Sequence, residues 1–122
     1  MSHIASPIGN EITCVMYDID DAVLNDVEKL EQALLEAASK ENLTVLKQMS
    51  HKFEPYGFTA MLMIQESHIA IHTYPEYHCL VFNLYSCRGP NDGKITMESF
   101  KNAVKPKEID LKERKIKIDS KE

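Results

Sequence analysis

From Leu43 to Cys87 the chain offers one short strand-like segment after another, broken by turn signals and with no helical period, and that succession narrows the choice of fold. Leu43 to Glu54 (LTVLKQMSHKFE) is predicted as a strand that stops at the Pro55-Tyr56-Gly57 turn signal. Phe58 to Gln65 (FTAMLMIQ) is more continuously apolar and predicts a more buried strand. His68 to Tyr74 alternates, Pro75-Glu76 interrupts it, and His78 to Cys87 (HCLVFNLYSC) resumes, the pattern of an antiparallel hairpin. Upstream, Glu11 to Asp18 (EITCVMYD) predicts another strand, and the charged tail carrying Ile109, Leu111, Ile116 and Ile118 predicts the last.

Helical spacing shows in two places. Val27, Leu30, Ala33, Leu34, Ala37 and Ala38 recur on one helical face, with Asn25 and Asp26 as cap candidates. A second helix is predicted from about Thr96 to Val104 (TMESFKNAV), with Thr96 as its cap and Pro106 just beyond its end. A dense loop, Gly89 to Gly93, precedes it. The order β-α-β-β-β-β-α-β implies an α+β fold: a two-layer sandwich, mainly antiparallel sheet, with two helices on one face.

The 122 residues fit one domain with one modest core, and no linker or convincing repeat divides them. A net charge of −5 argues against a nucleic-acid partner, because binding phosphates takes a basic excess. The lysines near the C-terminus alternate with acids and read as a solvated edge. The opening MSHIASPIGNEI lacks the basic head and apolar run of a signal peptide, and no segment has the roughly 18 apolar residues of a membrane span. A soluble, cytoplasmic protein is expected. Cys14, Cys79 and Cys87 are too few and too dispersed for a disulfide framework, which suits a reducing compartment.

Chemistry-bearing residues crowd between Ser67 and Cys87, a stretch that also holds His68, His72, Glu76, His78 and Cys79. Ser67 has no glycine nearer than Gly57 or Gly89, so it lacks the tight turn that presents a serine nucleophile. Metal binding is disfavoured too: there is no CxxC pair, and on a strand His68 and His72 share a face but stand roughly 13 Å apart. A Cys87 nucleophile with a His72 base remains open, beside ordinary structural roles for both.

The stretch ESHIAIHTYPEY, a cysteine ten residues later, an upstream HKFEPYGFTA and an early YDIDDAVLND together resemble the prokaryotic S-adenosylmethionine decarboxylases. The resemblance runs from about Ile12 to the final strand. These are pyruvoyl enzymes that make the aminopropyl donor for spermidine and other polyamines. The resemblance implies that Ser67 is consumed: its hydroxyl attacks the Glu66 carbonyl, elimination releases the chain ending at Glu66, and hydrolysis leaves a pyruvoyl group on the chain beginning at position 67. That covalent cofactor then holds the substrate amine as a Schiff base and takes up the electrons left by carbon dioxide.

By the same resemblance His72 is the base for self-processing, Thr59 supports it, and Cys87 is the acid that reprotonates the substrate carbon. Phe53 matches an aromatic residue stacked on adenine, Glu76 a carboxylate on the ribose hydroxyls, and Ile69 a residue presenting main-chain groups. No metal is implied. A homodimer is, because a single αβ layer leaves one sheet face bare and the family joins protomers through its sheets.

Strand geometry bears on these roles. If the hairpin is centred on Tyr77, Ser67 lies opposite Cys87 with side chains about 5 Å apart. His72, five residues along the strand, is roughly 16 Å from Ser67, so it needs a sharp bend, another strand or another subunit to reach a serine. Three positions depart from the family pattern: Tyr74 replaces tryptophan, His78 replaces glycine, and Arg88 intervenes before Gly89. A guanidinium there would repel a sulfonium, bind the substrate carboxylate or point to solvent. The departures keep two rival readings in play, a pyruvoyl arginine or ornithine decarboxylase and a non-catalytic partner subunit.

Overall fold

The computed structural model describes residues 5–65 and 67–118. Its sheet contains β1 (Ile8–Tyr17), β2 (Val45–Lys52), β3 (Phe58–Ile64), β4 (Ser67–Tyr74), β5 (Cys79–Ser86) and β6 (Glu108–Lys117). They lie in the order β2-β3-β4-β5-β1-β6, and every neighbouring pair is antiparallel. Helices α1 (Asp21–Leu24), α2 (Val27–Lys40) and α3 (Lys94–Val104) complete the α+β fold.

Alternation sorts each strand's side chains between two faces. Ile12, Cys14 and Met16 of β1, Phe58 to Ile64 at every second position of β3, Ile69 and Ile71 of β4, and Leu80, Phe82 and Leu84 of β5 are buried on the helix side. Leu30, Leu34 and Ala37 of α2 and Met97 and Phe100 of α3 close that core, with the Phe82 and Phe100 rings 5.7 Å apart. Each fully buried Leu or Phe contributes about 1.5–3 kcal/mol relative to exposure. The other face carries Thr59, Met61, Met63, His68, His72, Asn83 and Tyr85, and no helix among the described residues covers it.

The expected element order holds with one addition. The acidic stretch after β1 contains α1, a single turn too short to show a period. Asp26 does cap α2, accepting the Lys29 N–H at 3.2 Å. Thr96 does not cap α3, which begins two residues earlier at Lys94 after Gly93. The capping is done instead by Glu41, whose buried carboxylate accepts the N–H groups of Gly93 and Thr96 at 2.8 Å each and the Thr96 hydroxyl at 2.6 Å. Gly93 is required there: its φ is +97°, and a Cβ would run into Leu84.

The β4–β5 hairpin differs from expectation by one residue. Tyr74 pairs with Cys79 and His68 with Tyr85, because the connection is a 3-10 turn over Pro75–Tyr77 closed by His78 in the left-handed region. That register puts Ser67 opposite Ser86 rather than Cys87.

Candidate active site

Ser67 opens β4 and Cys87 follows β5, so both stand at the same end of the hairpin. Despite the shifted register they meet: the Cys87 main-chain N–H donates to Ser67 Oγ at 3.1 Å, and Oγ and Sγ are 3.6 Å apart. Ser67 is half-buried and Cys87 buried. Burial pushes the thiols of Cys14 and Cys79 up, with Glu76 adding to the effect on Cys79. Cys87 is the thiol that touches Ser67.

The residues after Cys87 are held from behind. Arg88 donates from Nε and Nη2 to the two carboxylate oxygens of Asp92 at 2.8 and 2.9 Å, and from Nη2 and Nη1 to the carbonyls of Glu41 and Asn42 at 2.9 and 3.1 Å. Those carbonyls terminate α2, where a cation suits the helix dipole. Asp92 also accepts the Ser86 hydroxyl at 2.5 Å. Burial would raise the Asp92 carboxyl, but the hydrogen bonds of Arg88 and Ser86 and the Arg88 charge hold it below its usual value. The Asp92 hydrogen bond in turn pushes the Arg88 guanidinium up, against the opposing effect of burial. Arg88 is therefore a strut between α2 and the 88–93 loop. Its charge is met by Asp92 rather than turned toward a substrate.

His72, Thr59, Phe53 and Glu76 gather at the opposite end of the sheet. His72 pairs with Thr59 across β3 and β4, and its Nδ1 lies 3.0 Å from Thr59 Oγ1. The ladder of β4 is continuous from Ser67 to Thr73 against β3 and from His68 to Tyr74 against β5, so no bend returns His72 to Ser67. This rules out a Cys87–His72 dyad within one protomer. Phe53, beyond the end of β2, is 48% exposed, with its ring edge-on to His51, which excludes a core role. Glu76 is exposed in the 3-10 turn. Ile69 is fully buried on the helix face of an interior strand, so its main chain belongs to the ladder. Glu66 lies outside the described residues.

Two hollows flank Ser67. One, of about 70 Å³, lies toward α2 between Asn42, Thr44, Ser86 and Arg88. The other, about 350 Å³ on the open face, is walled by Met49, Met61, Met63 and Lys47 and reaches both Ser67 and His68. A larger hollow of about 520 Å³ among Val23, Leu30 and Val104 contains no candidate residue. Among the described residues no group of three or more His, Cys, Asp or Glu side chains is placed to hold a metal ion. One contact escaped sequence reasoning: His68 Nε2 lies 2.8 Å from Asn83 Oδ1 on the open face. Alternation places both residues on one face; only the register makes them neighbours.

The S-adenosylmethionine decarboxylase family model matches residues 10–115. The chain belongs to the S-adenosylmethionine decarboxylase family. The S-adenosylmethionine decarboxylase proenzyme of Thermotoga petrophila is 33% identical over 106 residues, which span 87% of this chain and 82% of that protein. The proenzyme of Acidithiobacillus ferrooxidans is 39% identical over 80 residues, 66% of this chain and 60% of that protein. The crystal structure of the Aquifex aeolicus adenosylmethionine decarboxylase superposes with a TM-score of 0.86 at 28% identity, covering 97% of this chain and 98% of that one. A Trypanosoma brucei structure, at a TM-score of 0.60 and 13% identity, shares the fold alone; the match covers 84% of this chain and 44% of that one. Membership in the decarboxylase family weighs against the arginine, ornithine and non-catalytic alternatives.

Proposed function

We propose that this protein is a self-processing decarboxylase that acts on S-adenosylmethionine through a pyruvoyl group made from Ser67, yielding the aminopropyl donor for spermidine and other polyamines. The observation that carries the reading is the Ser67–Cys87 contact, which sets a main-chain donor and a thiol against the hydroxyl. The surroundings fit such a group, since position 67 opens a strand, borders a groove on the open face and has an acid at hand. A pyruvoyl carbonyl supplies the electron sink that no side chain offers.

In the chain itself, Ser67 Oγ attacks the carbonyl of Glu66 and the chain divides into 1–66 and 67–122. The Cys87 N–H steadies that oxygen. During turnover the Cys87 thiol delivers a proton to the substrate carbon that carbon dioxide leaves, the task of a general acid. Exposed Phe53 offers a ring for adenine and Glu76 a carboxylate for the ribose hydroxyls. Both stand at the His72 end, together with Thr59. We therefore read the active unit as a homodimer joined through the open sheet faces, in which His72, Thr59, Phe53 and Glu76 of one protomer serve Ser67 of its partner. Ile69, buried beneath the strand, acts as support. A cytoplasmic location suits a biosynthetic enzyme of this kind.

Denaturing electrophoresis with intact mass tests the processing step. Two chains divided at Glu66 and Ser67, with a carbonyl on the second, are expected; a single persistent chain without a carbonyl would refute it. Carbon dioxide release from S-adenosylmethionine, arginine and ornithine side by side tests the substrate.

A further inference from the structure

The open-face groove beside Ser67 contains a histidine that the roles above leave unused. The Asn83 amide nitrogen donates to Thr13 Oγ1 at 2.9 Å and more weakly to the Ile12 carbonyl at 3.5 Å. The Ile12 carbonyl only accepts, so the orientation that satisfies both neighbours turns the amide nitrogen to β1 and Oδ1 to His68. Oδ1 also only accepts, so the ring nitrogen 2.8 Å away, Nε2, carries the hydrogen. In the neutral ring the lone pair then sits on Nδ1, which no hydrogen bond reaches among the described residues. Tyr85 flanks the ring at 6.5 Å from β5, Met63 pairs with it on β3, and Lys47 lines the same groove from β2.

We infer that His68 is a further catalytic residue: its Nδ1 takes the proton that the substrate's α-ammonium must lose before its nitrogen can attack the carbonyl at position 67. The inference rests on the pyruvoyl reading above. An ammonium has no lone pair, and the other histidine proposed to act in the site serves self-processing. The transfer leaves a neutral amine and an imidazolium whose Nε2–H still donates to Asn83 Oδ1. With the pyruvoyl group in place, the added nitrogen would pass a second proton to the carbonyl oxygen, and that oxygen would leave as water after taking the first proton back from Nδ1, so the amine ends as a protonated Schiff base and His68 ends as it began. Thr13 and Asn83 are positioning residues that select the tautomer.

The test separates amine capture from decarboxylation. Processed protein is incubated with S-adenosylmethionine and cyanoborohydride, and covalent capture on the chain beginning at 67, whether before or after loss of carbon dioxide, is followed by intact mass. In His68→Gln at neutral pH the capture rate is expected to fall about 100-fold or more. At alkaline pH, where the amine is already neutral, it should return toward that of the unaltered protein, a recovery that a purely structural role would not give. Asn83→Leu, which leaves the histidine in place but frees its tautomer, should slow capture as well. Nitrogen NMR of the uncleaved Ser67→Ala chain should show the Nε2–H form. Capture at the unaltered rate in His68→Gln with the carbonyl present, or an Nδ1–H ring, would overturn the assignment of His68 alone; an unaltered protein with no carbonyl would overturn the pyruvoyl reading instead.

Discussion

Ser67 and Cys87 are joined twice, once by the Cys87 main chain at 3.1 Å and once by its thiol at 3.6 Å. In the proposed mechanism the two contacts serve different steps, and a side-chain substitution separates them. Cys87→Ala keeps the N–H and loses the thiol, so the chain should still divide at position 67 while carbon dioxide release falls about 100-fold or more. Gel and turnover assays on one preparation check both halves.

Arg88 distinguishes a strut from a substrate ligand. Its hydrogen bonds run to Asp92 and to the carbonyls ending α2, so Arg88→Met should cost about 2 kcal/mol, and Tm should fall by roughly 5–10 °C. KM for S-adenosylmethionine should stay within about twofold, less than a tenth of the change that 2 kcal/mol would make in binding. Arg88→Lys should recover only part of the stability, because an ammonium cannot span both partners. A large rise in KM with unchanged Tm would assign Arg88 to the substrate carboxylate.

Asp92 contributes to the acid side of the stability profile. Its carboxyl is held below the ordinary value in the folded chain, so in that window the unfolded chain binds the extra proton. The contribution of Asp92 is thus fully present above about pH 4 and is lost as pH falls from there through the depressed value. Asp92→Asn should start less stable at neutral pH and lose less between about pH 4 and pH 2, as read by denaturant unfolding at each pH.

Much of this was legible in the sequence, for reasons that differ by residue. A continuous apolar run marks β3, alternation marks β4, and the β-rich segment after Pro75-Glu76 marks β5; strand geometry alone assigns His68 and His72 to one face. Two local signals misled. A hairpin centred on Tyr77 would oppose Ser67 and Cys87, but the turn is a 3-10 segment ending in a left-handed His78, which moves the pairing by one residue. Thr96 has the chemistry of a cap, yet Glu41 fills that place from the end of α2. Contacts such as Arg88 with the α2 carbonyls or Asn83 with His68 join distant parts of the chain, and no local pattern announces them.

The separation of His72 from Ser67 along one unbroken strand yields the sharpest test of the dimer. A chain carrying Ser67→Ala keeps His72 but cannot be cleaved, and one carrying His72→Ala keeps Ser67 but lacks the base. If each serine is served by the histidine of the partner, either variant alone should remain intact or divide very slowly. Co-expressed, the His72→Ala chain should be cleaved inside mixed dimers while the Ser67→Ala chain stays whole. A size tag on one chain identifies which is cut, and light scattering gives the oligomeric state. Cleavage of the His72→Ala chain by itself at the unaltered rate would remove His72 from processing, and a monomer that processes normally would remove the partner.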